Sequence, residues 1–140
     1  MAACEILRVK IMEIVRNNHN DIYPASGVYV RSVRAGGMLY VSGCTARESD
    51  AHSRTPSDQL RVTLDRIIRI VEAEGGSPSS VVRLTTYVTN MKDFWPPPDD
   101  HIQIYRDFFG EDLPANSVIG VDALANPKLL VEIHTVAALG

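Results

Sequence analysis

Cysteine is scarce in this chain: Cys4 and Cys44 are the only two among 140 residues. They stand far apart and belong to no Cys-x-x-Cys or Cys/His spacing, which argues against a disulfide framework and against a structural zinc site. Basic side chains do not gather either. Arg31, Arg34, Arg47 and Arg54 are scattered, and with a formal charge of -3 no nucleic-acid partner is expected. No apolar run approaches the ~20 residues that span a bilayer. Glu5, Arg8 and Lys10 interrupt the apolar residues near the start, so neither a membrane partner nor a secretory h-region is expected, and the expected location is the cytoplasm. A glycine-rich phosphate loop is missing, and His19, His52 and His101 pair with no second ligand at helical spacing. No cofactor and no metal are therefore expected.

What is present is the composition of a folded domain, 45% hydrophobic and 22% charged, and 140 residues suffice to bury a core. Residues 1–22 read as an extension carrying a first strand around Arg8–Val15. A hairpin is expected from Val28–Val33 and Met38–Ser42, joined by Arg34-Ala35-Gly36-Gly37, where the glycines permit a tight reversal. The clearest helix covers Pro56–Ala73. Thr55 can cap it, Pro56 suits its first position, and Asp58 favours the dipole. Leu60, Leu64, Ile67, Ile68 and Val71 form one apolar stripe, and Gly75-Gly76 end it. A β-branched strand follows at Val81–Thr89. Trp95-Pro96-Pro97-Pro98 then reads as a stiff connector into a second helix, Asp99–Phe109, closed by Gly110. Two further strands, Ser117–Leu124 and Lys128–Ala137, flank a turn at Ala125-Asn126-Pro127. The order implies a single α/β domain over 1–140.

Several short patterns recur in a fixed order: Gly27-Val28-Tyr29, Tyr40-Val41-Ser42-Gly43, Thr86-Tyr87-Val88-Thr89-Asn90, Leu113-Pro114-Ala115 and Val131-Glu132-Ile133. Together they make the chain resemble the Rid/YjgF family of enamine/imine deaminases over roughly Tyr23 to Ala138. The resemblance implies a chorismate-mutase-like fold, a mixed sheet backed by two helices, assembled as a homotrimer with active sites in the clefts between subunits. It also implies a small-molecule substrate, with Glu132 positioning or activating the water that attacks an imine carbon.

The residues themselves support an acid–base role for Glu132. On a strand it shares a face with His134, and an acid set among Leu130, Val131 and Ile133 would be desolvated, raising its pKa. The resemblance adds Tyr29, Ser42 and Gly43 as lining residues of the substrate pocket. It also marks departures. Asn116 stands where the family has a carboxylate-gripping arginine, Ile102 where it has asparagine, and Cys44 where glutamine is common. Losing the forked charge pair should cost roughly 2–5 kcal/mol in recognition of a buried carboxylate. The expected enzyme therefore hydrolyses or tautomerises a C–N electrophile without being a standard imino-acid deaminase, and Asn116 contacts a neutral polar group. Two alternatives remain: a ligand-binding trimer without chemistry, and a hydrolase that uses Cys44 as a thiolate nucleophile on the strand face it would share with Ser42.

Overall fold

The computed structural model describes residues 12–25 and 27–140. Its strands form one six-stranded sheet in the order β1-β2-β3-β6-β4-β5, built from β1 (Ile14–Asn17), β2 (Ser32–Ala35), β3 (Met38–Cys44), β4 (Val81–Val88), β5 (Ala115–Gly120) and β6 (Val131–Ala138). Among the described strands only β4 and β5 run parallel, because the helix between them carries the chain back across the sheet. Of the expected first strand, residues 8–11 lie outside the described residues. The described part starts at Ile14 and continues to Asn17.

Helix α1 (Pro56–Ala73) has the expected bounds. The Thr55 side chain accepts from the Asp58 amide at 3.2 Å, and Gly75 leaves the helix at φ +90, which a glycine adopts without strain. Its whole predicted stripe is buried, and Ile70 with it. Helix α2 (Asp99–Phe109) ends at Gly110, with φ +59. Both helices cover one face of the sheet. Leu39, Val41, Leu84, Val88, Val131 and Ile133 project from the strands into that core, each less than 5% exposed. The opposite face stays open, with Tyr40 half-exposed on it. Among the described residues no helix is long and apolar enough to cross a membrane.

Several expected features change, and the fifth strand runs Ala115–Gly120 instead of Ser117–Leu124. The hairpin turn is shorter, Gly36-Gly37 alone, since Arg34 and Ala35 pair with Leu39 and Met38. The segment Val28–Arg31 stays out of the ladder because Arg31 turns inward and is fully buried, not solvated as its charge suggested. The last two strands are not partners across a turn, since β4 lies between β5 and β6. β6 begins at Val131, later than expected, because a buried glutamine takes over the preceding backbone. Gln59 Nε2 donates to the Lys128 carbonyl at 2.9 Å, and its Oε1 accepts from the Leu130 amide at 2.8 Å. That amide is satisfied on both sides and fixes the entry to β6, the strand that carries Glu132.

Candidate functional site

Alternation along β6 sends Val131, Ile133, Thr135 and Ala137 into the core, and Glu132 and His134 to the open face. There His134 Nε2 and Glu132 Oε2 lie 2.8 Å apart. Tyr87 stands directly opposite Glu132 on β4, and its ring centre is 4.8 Å from that of His134. The shared face is as the sequence suggests, whereas the expected enclosure is not found. In the single chain the Glu132 side chain is 27% exposed and that of His134 46%.

Beneath this pair the ladder is irregular. Val41 pairs with Thr135 and Cys44 with Ile133, so Ser42 and Gly43 together oppose His134 and form a bulge. A Cβ on Gly43 would stand 2.6 Å from Glu132 Oε2 and 2.9 Å from His134 Nε2, so only glycine lets the two polar groups settle over the strand. The buried Arg31 guanidinium holds the bulge from the inside. It donates to the carbonyls of Gly43 (2.6 Å), Tyr23 (2.7 Å) and Ser42 (3.2 Å). Its charge lies 4.2 Å from the centre of the Tyr23 ring and 5.6 Å from that of the half-exposed Tyr29. Tyr29 thus joins the site through Arg31.

Ser42 sits beside Gly43 in the bulge but has its donors engaged, and Cys44 does not occupy the face expected of it. The Ser42 hydroxyl donates to the Val30 carbonyl at 2.7 Å and its amide to the Arg31 carbonyl at 2.8 Å, so neither is free to bind a substrate oxygen. The bulge also breaks the simple alternation, and Cys44 faces the core with no exposure. Burial pushes its thiol up to about 11, although Arg31 and Arg66 act in the opposite direction. A neutral, enclosed thiol is a poor nucleophile. Cys44 is therefore expected to resist iodoacetamide at pH 8 in the folded protein and to react once the chain is unfolded, as mass spectrometry would report. Because the folded thiol holds its proton more tightly than the ordinary value of 9.0, its contribution to stability is complete below that pH and is lost as pH rises toward about 11.

Asn116 lies elsewhere. β5 pairs with β4 so that Ser117 and Ile119 share the open face with Thr85 and Tyr87, and Asn116 and Val118 share the helix side with Leu84 and Thr86. One chain therefore does not place Asn116 beside Glu132: strand parity puts them on opposite faces. The Thr86 hydroxyl donates to Asn116 Oδ1 at 2.9 Å. With Tyr105 they line a cavity of about 260 Å³ walled by Phe94, Trp95, Ile102 and Leu113. Burial lowers the pKa of His101 on the same wall, keeping its ring neutral at pH 7, and raises that of Tyr105. The proline connector thus forms one lip of a pocket. A stiff proline segment is able to form such a lip, and Trp95 meets Ile102 there once α2 has folded back.

Another trio has the residues of a nucleophilic relay but not the geometry. His19, buried despite its polar loop, approaches Ser32 Oγ at 2.8 Å and Glu74 Oε1 at 3.1 Å, both through the same Nε2. A relay needs the two ring nitrogens, one for each partner. The trio instead ties the chain after β1 to β2 and to the end of α1. Among the described residues no group of three or more His, Cys, Asp or Glu side chains could hold a metal ion.

Known proteins share this architecture. The family described as Endoribonuclease L-PSP matches residues 20–139. A RutC family protein of Pyrococcus horikoshii is 31% identical over 115 residues, covering 79% of this chain and 86% of its own. A Pseudomonas aeruginosa protein of unknown function superposes with a TM-score of 0.81 at 25% identity, covering 92% of this chain and 94% of that one. A Mycobacterium tuberculosis member of the YjgF/YER057c/UK114 family superposes at 0.72 with 28% identity, over 90% and 99% of the two chains. With a matching profile over most of its length and relatives of this kind, the chain belongs to the endoribonuclease L-PSP family, the Rid/YjgF family that its sequence resembles.

Proposed function

We propose that this chain is a cytoplasmic enzyme that hydrolyses an enamine- or imine-type C–N electrophile on a small organic molecule, with Glu132 as its acid–base residue. The observation that carries the reading is the Glu132–His134 pair, 2.8 Å apart over the Gly43 bulge on the open sheet face. A carboxylate there can take a proton from water as the water oxygen bonds to the imine carbon. The C=N π electrons move to nitrogen, which receives the proton, and collapse of the adduct expels ammonia and leaves a carbonyl. His134, hydrogen-bonded to the carboxylate, orients it and relays the proton. Tyr87 packs on the His134 ring and limits its rotation.

The opposite placements of Glu132 and Asn116 support a site completed by assembly. A second copy seated on the open face, where Tyr40 is 50% and Ile119 41% exposed, would cover apolar surface and enclose Glu132. A homotrimer closes this arrangement, with the Asn116 pocket of one copy facing the Glu132 pair of the next. The Asn116 amide then supplies a neutral hydrogen bond to the substrate. Ribonuclease action, named in the family description, finds little support in the charge distribution, since Arg31 is buried and Arg66 spends its guanidinium on the carbonyls of Thr45 and Arg47.

Ammonia release from freshly generated imines, compared with the spontaneous rate, tests the proposal. Acceleration is expected. A folded oligomer that accelerates none of them contradicts it and leaves a ligand-binding role. Gly43→Ala gives a sharper check. The added methyl meets only the ends of flexible side chains, so the thermal midpoint should move by a few degrees at most. Turnover should fall about tenfold or more as the pair is pushed off the bulge.

A further inference from the structure

Helix α2 turns two rows of side chains toward the Asn116 pocket: His101 with Tyr105, and Ile102 with Arg106 one turn further on. Among the described residues no carboxylate lines this pocket. Because the Thr86 hydroxyl occupies Asn116 Oδ1, the amide offers its Nδ2 donors. Arg106 adds a permanent cation, and among the described residues its side chain has no hydrogen-bond or ion-pair partner. The other face of the same helix behaves differently. There Asp107 accepts from Gln103 at 2.8 Å and from Arg61 at 3.3 Å, so that charge is already compensated. The pocket thus combines apolar walls, an amide donor and one uncompensated guanidinium, a set that suits an anion with an apolar body.

We propose that Arg106 is the specificity-determining cation of the cleft, taking from the helix side the carboxylate that Asn116 on the strand cannot hold by charge. The substrate's apolar side chain then lies against Phe94 and Trp95, and its carboxylate points to the exposed Arg106 at the mouth. The fork of donors pairs with both carboxylate oxygens. For the reacting C–N bond this rests on the function proposed above; for the anion it rests on the pocket alone.

Trp95 is the chain's only tryptophan and lines this pocket, so its fluorescence reports occupancy. The full-length protein would be titrated with α-ketoisocaproate, a stable carbonyl counterpart of a branched imino acid, and with methyl isobutyl ketone, which has the same body without the carboxylate. The expected result is saturable binding of the keto acid, weakened about tenfold or more by Arg106→Gln, with partial recovery in Arg106→Lys and weak binding of the ketone throughout. Arg106 is exposed, so its variants should fold, and circular dichroism would verify that. The proposal is overturned if the keto acid fails to bind, if the ketone binds as tightly, or if Arg106→Gln binds the keto acid as well as wild type. Glu132→Gln should keep the binding. Arg106-dependent binding in a protein that releases no ammonia from any imine would uphold this assignment while removing the catalytic one.

Discussion

Replacing Glu132 with glutamine is expected to lower turnover by roughly two to four orders of magnitude while leaving the fold and ligand binding intact. The amide has the shape of the carboxylate and keeps a hydrogen bond to His134, which lies 2.8 Å away. It cannot accept the proton of the attacking water. Since the side chain is partly exposed on the open face, the substitution leaves no buried charge unpaired, and the thermal midpoint should hold. Steady-state kinetics with keto-acid binding measured in parallel would separate the two effects. A loss of binding equal to the loss of turnover would make Glu132 a binding residue. Unchanged turnover would remove it from the chemistry.

Arg31→Met should produce the largest loss of stability of any single change at the site, about 3 kcal/mol or more. Two effects oppose each other. Methionine relieves the desolvation of a fully buried guanidinium that faces no carboxylate among the described residues. It also strands the carbonyls of Tyr23 and Gly43, each now satisfied by Arg31 within 2.7 Å, and leaves that of Ser42 only the weak Cys44 thiol donor at 3.5 Å. Orphaned buried acceptors cost about 1–3 kcal/mol each, and these losses outweigh the relief. Arg31→Lys should recover only part of the loss, because one ammonium cannot reproduce the planar fork. Urea denaturation would read both changes. A loss below about 1 kcal/mol for Arg31→Met would mean that water reaches these carbonyls and that Arg31 does not hold the bulge.

Arg31 also shows where the sequence stops being informative. A lone arginine between Val30 and Ser32 reads as solvated, and nothing local signals that three backbone carbonyls converge on it. α1 was legible to its ends because its determinants are local: a capping threonine, a proline at the first position, one apolar stripe and a glycine pair. The shared face of Glu132 and His134 was legible for the same reason, since strand alternation needs no tertiary knowledge. Cys44 was misplaced because the count from Ser42 passes through a bulge that forms only when β3 meets β6. The resemblance expects Asn116 and Glu132 in clefts between subunits, and the register of β5 on β4, which sets the two on opposite faces of one chain, is compatible with that. The pairing of β5 with β4 instead of β6 depends on the crossover through α2, which no pattern within either strand encodes.

That separation points to a cleft shared between copies, and complementation tests it most directly. Glu132→Gln and a pocket-filling Asn116→Phe variant would be prepared separately, then unfolded together and refolded as mixed oligomers. Each variant alone should be nearly inactive. The mixture should regain activity, because some clefts would join the intact Asn116 pocket of one copy to the intact Glu132 of another. Mixed oligomers verified by native mass spectrometry that remain as inactive as their parents would contradict the shared cleft, as would a chain that stays monomeric and active.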